Sequence, residues 1–180
     1  MLIFSALSPD QMKAQDTISS AYANTFPQSW QGQWQGDLQI FTPQGLAQTV
    51  AMELHILPIE NTRNYTWTII YGEDKEAGKR PYELQPVDPK KGIYLIDEKN
   101  SIKMEAYYLS GKLYSRFEVM GNLLLTAVEK QGAHLIFEII SGKLEPVSTT
   151  GASTVEGEEI PEVNAYPVGV RQRSVLSLKN

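Results

Sequence analysis

A chain of 180 residues fits one domain and leaves too little for two. Its 42% hydrophobic and 21% charged residues are the mix of a soluble globular protein, not of a disordered one. Cysteine is absent and histidine occurs twice, which excludes disulfide frameworks, thiolate metal sites and thiol nucleophiles, and argues against a multi-histidine centre. A net charge of −5 and a pI near 5.1 argue against a nucleic-acid partner held by a basic patch. No apolar run approaches the ~20 residues of a membrane-spanning helix.

Residues 1–28 read as an amino-terminal arm or short helix. Leu2 to Leu7 is apolar but too short, and too poor in preceding basic residues, for a complete secretory signal. Residues 1–15 are compatible with the end of a truncated one, so an exported or periplasmic form is among the expectations. Ser8-Pro9-Asp10 has the chemistry of a helix start, and Ile18, Tyr22 and Phe26 follow at a spacing of four.

Residues 29–180 read as one β domain. From Trp30 the spacing changes to alternation: Trp30, Gly32, Trp34, Gly36, Leu38 and Ile40 share one parity, and Gln31, Gln33, Gln35, Asp37 and Gln39 the other. Successive strand side chains point to opposite faces, so this is a strand with one dry face. Val50, Met52, Leu54 and Ile56 mark a second strand. Tyr65, Trp67, Ile69 and Tyr71 mark a third. Arg80 to Val87 is a fourth, with Pro81 and Pro86 suggesting an edge or a bulge. Gly92 to Asp97 follows, then strands around Ile102–Tyr108, Leu113–Val119, Leu123–Glu129, Ala133–Ile140 and Val168–Leu178.

Asn100, Ser110-Gly111, Gly121-Asn122 and Gln131-Gly132 sit between these runs, where tight hairpins need a positive φ. Short connections impose antiparallel neighbours, and a long meander removes its exposed edges by closing on itself. The expected fold is therefore all-β, an antiparallel up-and-down barrel of eight to ten strands, with a two-sheet sandwich as the rival. One long connection, residues 142–167, has no periodicity and carries Glu156, Glu158, Glu159 and Glu162. It reads as a mobile acidic loop, or alternatively as a lid over one barrel end.

Gly32-Gln33-Trp34 at the head of the first strand resembles the Gly-x-Trp opening of the calycin superfamily, the lipocalins and fatty-acid-binding proteins. The resemblance implies a ligand-carrying barrel. It also implies that Trp34 closes one end beneath an arginine of the last strand, here Arg171 or Arg173. The second lipocalin motif, of the Thr-Asp-Tyr type, has no match.

A barrel of this size either holds one small ligand or is filled by side chains. The inward parity offers Trp34, Met52, Leu54, Tyr65, Trp67, Tyr71, Tyr82, Met104, Tyr108 and Phe117, several of them aromatics with a polar tip, suited to an apolar pocket with a few orienting hydrogen bonds. Gly32 and Gly36 on that parity leave room for a ligand or for another backbone. His134 is the one residue placed like the iron ligand of calycin-like haem barrels, but the glycine-rich signature of that branch is missing, so no cofactor and no metal are expected. No nucleophile elbow, phosphate loop or dinucleotide fingerprint occurs, and no catalytic residue is assigned. Asp97-Glu98-Lys99-Asn100 looks like a solvated turn.

The leading expectation is a binding protein that carries a small hydrophobic or amphipathic molecule. One alternative is a filled barrel acting as a structural or interaction protein. Another is a calycin-type pigment lyase or chaperone, which requires Arg116 and Glu118 to face inward.

Overall fold

The computed structural model describes residues 25–179. Ten strands form the closed barrel: β1 (Gly32–Thr42), β2 (Gly45–Ile56), β3 (Tyr65–Tyr71), β4 (Lys79–Asp88), β5 (Ile93–Asp97), β6 (Lys103–Leu109), β7 (Lys112–Val119), β8 (Asn122–Gln131), β9 (His134–Lys143) and β14 (Val170–Leu178). Each pairs antiparallel with its sequence neighbour, and β14 closes the ring between β9 and β1. The fold is the expected all-β barrel. The only α-helix among the described residues is a single turn, α1 (Lys75–Gly78), started by the Asp74 carboxylate, which accepts from the backbone N–H groups of Glu76 and Ala77. No helix among the described residues is long and apolar enough to cross a membrane.

The chain divides into two units at Gln31/Gly32. In the first, Gln28–Trp30 is one 3-10 turn, and Phe26 stacks edge-on against Trp30 with ring centroids 4.6 Å apart. The barrel's first strand thus starts at Gly32 and not at Trp30. The expected helix or leader lies outside the described residues.

Cross-strand register places the inward residues. Trp34 is opposite Leu54, Leu54 opposite Ile69, Trp67 opposite Tyr82, Leu84 opposite Ile96, and Ile96 opposite Met104. Further round, Leu113 is opposite Val128, Val128 opposite Phe137, and Phe137 opposite Ser174. The end of the barrel where β1 begins is densely packed: Trp34, Leu54, Ile56, Leu84, Leu135 and Leu176 are almost wholly buried. At roughly 25 cal/mol per Å², such burial is the main drive for closure.

Closure also needs a glycine. A Cβ on Gly36 would stand 2.4 Å from the carbonyl oxygen of Val175, so a side chain there pushes β1 away from β14. Of the two uses expected for Gly36, the structure shows room for a backbone.

Prolines obey the ladder. A register shift marks the Pro86–Asp88 bulge. Pro81 pairs with Thr68 of β3, while β5 joins β4 only from Glu83 onward, so its missing N–H leaves no bond unmade on that side.

The connection read as a mobile loop is instead built of strands. β10 (Ser148–Thr150) pairs with β13 (Val163–Ala165), and β11 (Ser153–Val155) with β12 (Glu158–Ile160). The turn at its tip is Glu156-Gly157, both at positive φ. Alternation failed to show it because every residue of these four strands is exposed, leaving neither face dry.

Candidate ligand cavity

Packing loosens toward the other end of the barrel, where β3, β5, β7 and β9 finish. A cavity of about 160 Å³ opens there. Seven consecutive strands, β3 through β9, line it; β14, β1 and β2 contribute nothing. Trp67, Val128 and Phe137 stand deep in the wall, whereas Tyr71, Tyr82 and Glu98 come from the strand ends at the mouth. Ile69, Ile96, Met104, Leu113, Phe117 and Ile139 complete its apolar lining.

Two hydroxyls on the wall are already engaged. Ser115 Oγ donates to the Glu105 carbonyl at 2.7 Å, and Thr126 Oγ1 donates to the Ser115 carbonyl at 3.3 Å. They stitch β6, β7 and β8 together. Burial pushes the Tyr71 phenol up to about 12, with Tyr82 adding to the shift and Arg80 opposing it. Burial also raises Tyr82, and the neighbouring Glu98 carboxylate raises it further. Both phenols therefore stay protonated at neutral pH, and the Tyr82 hydroxyl is hydrogen-bonded to the Glu98 carboxylate.

Glu98 is held by the turn that follows β5. Its N–H donates to the Ile102 carbonyl at 3.0 Å, and Asn100 Nδ2 donates to its carboxylate at 3.3 Å. Asp97-Glu98-Lys99-Asn100 is only in part the solvated turn expected from its composition. Asp97 instead ends β5 and is buried, and Glu98 turns its side to the cavity.

Of the ten residues expected to bind ligand, the structure brings five together around the cavity: Trp67, Tyr71, Tyr82, Met104 and Phe117. Trp34, Leu54, Tyr65 and Tyr108 belong to the packed end, where burial lifts the phenol of Tyr94 to about 12 and the nearby Tyr108 and Tyr65 add to it. Met52 is buried but lies outside the cavity lining. Ile69, Ile96, Leu113, Ser115, Val128, Phe137 and Ile139 were missed as lining. The inward parity of Ile69, Leu113 and Ser115 was legible in the alternation, whereas β5, β8 and β9 carry apolar residues on both parities, and which end of the barrel stays open was not legible at all.

The strand register does not set the expected arginines beside Trp34. Trp34 pairs with Leu178, while Arg171 pairs with Phe41 and Arg173 with Gln39, toward the opposite end of β1. Arg171 instead gives Nε and Nη2 to the Glu138 carboxylate at 2.9 and 2.6 Å. Arg116 and Glu118 are exposed, on the parity opposite to the cavity-lining Ser115 and Phe117, which removes the inward pair that a pigment lyase required. His134 is exposed, with Nδ1 3.1 Å from Ser177 Oγ.

Two carboxylate clusters lie on the outer wall. Glu53 meets Lys75 at 2.6 Å, His55 at 2.7 Å and Lys179 at 3.3 Å, and these partners, outweighing burial, hold it down to about 2. Glu83 and Asp97 face each other across β4 and β5; Lys99 lies 2.5 Å from Glu83 and Lys103 lies 3.4 Å from Asp97. A shallow outer groove of about 470 Å³ passes over Asp37, Glu53, Ile70, Lys75 and Ser177; being open, it encloses little of any ligand. Among the described residues, no three His, Asp or Glu side chains are grouped to hold a metal ion.

The chain matches no family model, no curated protein and no solved structure in comparisons with known proteins.

Proposed function

We propose that the protein is a calycin-like carrier that holds one small apolar or amphipathic molecule inside its barrel. The observation that carries this reading is the cavity itself, lined by Trp67, Met104, Phe117 and Phe137 and rimmed by Tyr71 and Tyr82. Apolar walls with a few polar groups at one end are what a small-molecule site requires. The strand order and the Gly32-Gln33-Trp34 opening support the calycin likeness; the positions of Arg171 and Arg173 depart from it.

Size limits the ligand. Small-molecule pockets commonly span roughly 300–1,000 Å³, whereas an apolar cavity of about 150 Å³ accepts benzene. A ligand little larger than benzene fits this cavity, and a linear tetrapyrrole is far too large. The same modest volume favours the second reading, a barrel filled by its own side chains.

Thermal unfolding with toluene, phenol and hexanol separates the two readings. A ligand at about 100 times its Kd adds about 2.7 kcal/mol of stability. The carrier reading expects such a rise with at least one probe. It also expects the rise to vanish in Val128→Phe, which fills the deep wall, while the variant's own melting temperature holds or increases. A wild-type protein that responds to none of the probes is a filled barrel.

A further inference from the structure

We infer that the cavity selects a cationic ligand: a protonated amine on a small aromatic or aliphatic body, its ammonium group placed between Glu98 and the rings of Tyr71 and Tyr82. This rests on the carrier reading above and adds the charge of the ligand to it.

Three observations converge. First, Glu98 is the only charged residue that lines the cavity; no lysine, arginine or histidine does. Among the described residues its carboxylate has no ion pair, in contrast to Glu53, Glu83, Asp97, Glu129 and Glu138, each of which meets a cation within 3.4 Å. A carboxylate facing an apolar pocket without a counter-ion disfavours an anionic guest and favours a cationic one.

Second, the walls are rich in aromatic rings. Trp67, Tyr71, Tyr82, Phe117 and Phe137 all contribute. Ring faces are electron-rich and attract ammonium groups, most strongly where water is excluded. Neutral ligands gain nothing comparable from that quadrupole.

Third, Arg80, the cation that acts on both mouth phenols, is engaged elsewhere. Arg80 gives Nη1 to the carbonyls of Ala77 and Lys79 at 3.2 and 3.0 Å and is exposed. It opposes the rise of the Tyr71 and Tyr82 phenols but lies outside the lining. The connection between β9 and β14 rises from this same barrel end and carries Glu145, Glu156, Glu158, Glu159 and Glu162 with no lysine or arginine. Its field draws cations toward the mouth.

Calorimetric titration with four probes of one shape tests the inference: benzylammonium, benzyl alcohol, toluene and benzoate. Benzylammonium is expected to bind at least tenfold more tightly than benzyl alcohol, and benzoate not at all. In Glu98→Gln the preference for benzylammonium over benzyl alcohol should fall to about twofold. In the wild type, raising NaCl from 20 mM to 0.5 M should weaken benzylammonium and leave toluene untouched, a readout that does not depend on the variant folding. If benzyl alcohol or toluene binds as tightly as benzylammonium, the cation inference is overturned and the carrier reading stands. If none of the four binds, the carrier reading falls and the inference with it.

Discussion

Ser174 is the one buried side-chain polar atom that finds no hydrogen-bond partner among the described residues. It sits on β14 opposite Leu38 on one side and Phe137 on the other, 1% exposed, between two apolar neighbours. An unmade hydrogen bond of this kind costs roughly 1–3 kcal/mol of desolvation. Ser174→Ala removes the hydroxyl and almost no volume, so it should stabilise the protein by about 1 kcal/mol. Urea denaturation checks this through the midpoint, at unchanged m-value; a loss of stability would mean that the hydroxyl is satisfied, for instance by a buried water. Residue by residue, the inward parity of Trp67, Tyr71, Tyr82 and Phe117 was legible from alternation alone. Glu98 was not, because a charged residue beside Asn100 has the composition of a solvated turn. Only the course of the chain around the β5–β6 turn brings that carboxylate to the cavity.

At the scale of elements, Glu53 does what no local pattern announces. It belongs to the outward parity of β2, yet it ties three segments distant in sequence: its own strand, α1 through Lys75, and the residue after β14 through Lys179. These cations, with His55, hold the carboxyl at about 2 in the folded chain against an ordinary 4.5. A folded-state pKa below the unfolded one gives stability that is complete above about pH 4.5 and is lost as the pH falls toward 2. The exposed lysine partner weakens the interaction through solvent, so about 2 kcal/mol is expected rather than the full shift. Glu53→Gln should therefore lower stability at pH 7 by about that amount and flatten the acid limb between pH 4.5 and 2. Chemical unfolding at a series of pH values reads both, and an acid limb unchanged in the variant would refute the tie. Strand boundaries from β5 through β9, by contrast, were visible in the sequence to within about three residues, because turn residues separate those runs, whereas β2 begins at Gly45, ahead of the alternation from Val50 that marks it. Gly36 shows the limit of that legibility: its spacing announced a need for room, and only the closing seam with β14 told for what.

For the molecule as a whole, closure followed from the count of strands and the shortness of their turns, whereas the connection 142–167 is not the structureless loop expected of it. Periodicity detects a strand by its dry face, and the arm built from β10 to β13 has none: Val147, Val155, Val163 and Tyr166 are all about half exposed or more. Its ladders are backbone bonds between residues that bury nothing, so it adds little to the stability of the barrel. It does add charge. The five glutamates it carries equal the net charge of the entire chain, so the remainder holds acidic and basic groups in equal number. At the root of the arm Val170 is opposite Ser141 and the Gly169 N–H donates to the Ser141 carbonyl at 2.9 Å, so the two strands are still adjacent there and a tight turn can take the place of residues 145–166. Replacing that segment with Asn-Gly should leave the melting temperature within about 2 °C, because the packed interior is untouched. The same variant should become much less soluble near pH 7, since a near-zero net charge removes the repulsion that keeps copies apart. Thermal unfolding and a solubility titration between pH 5 and 9 measure the two effects separately. A sharp fall in melting temperature would show that the arm supports the barrel, and unchanged solubility would show that charge on the barrel wall, not on the arm, keeps the protein dispersed.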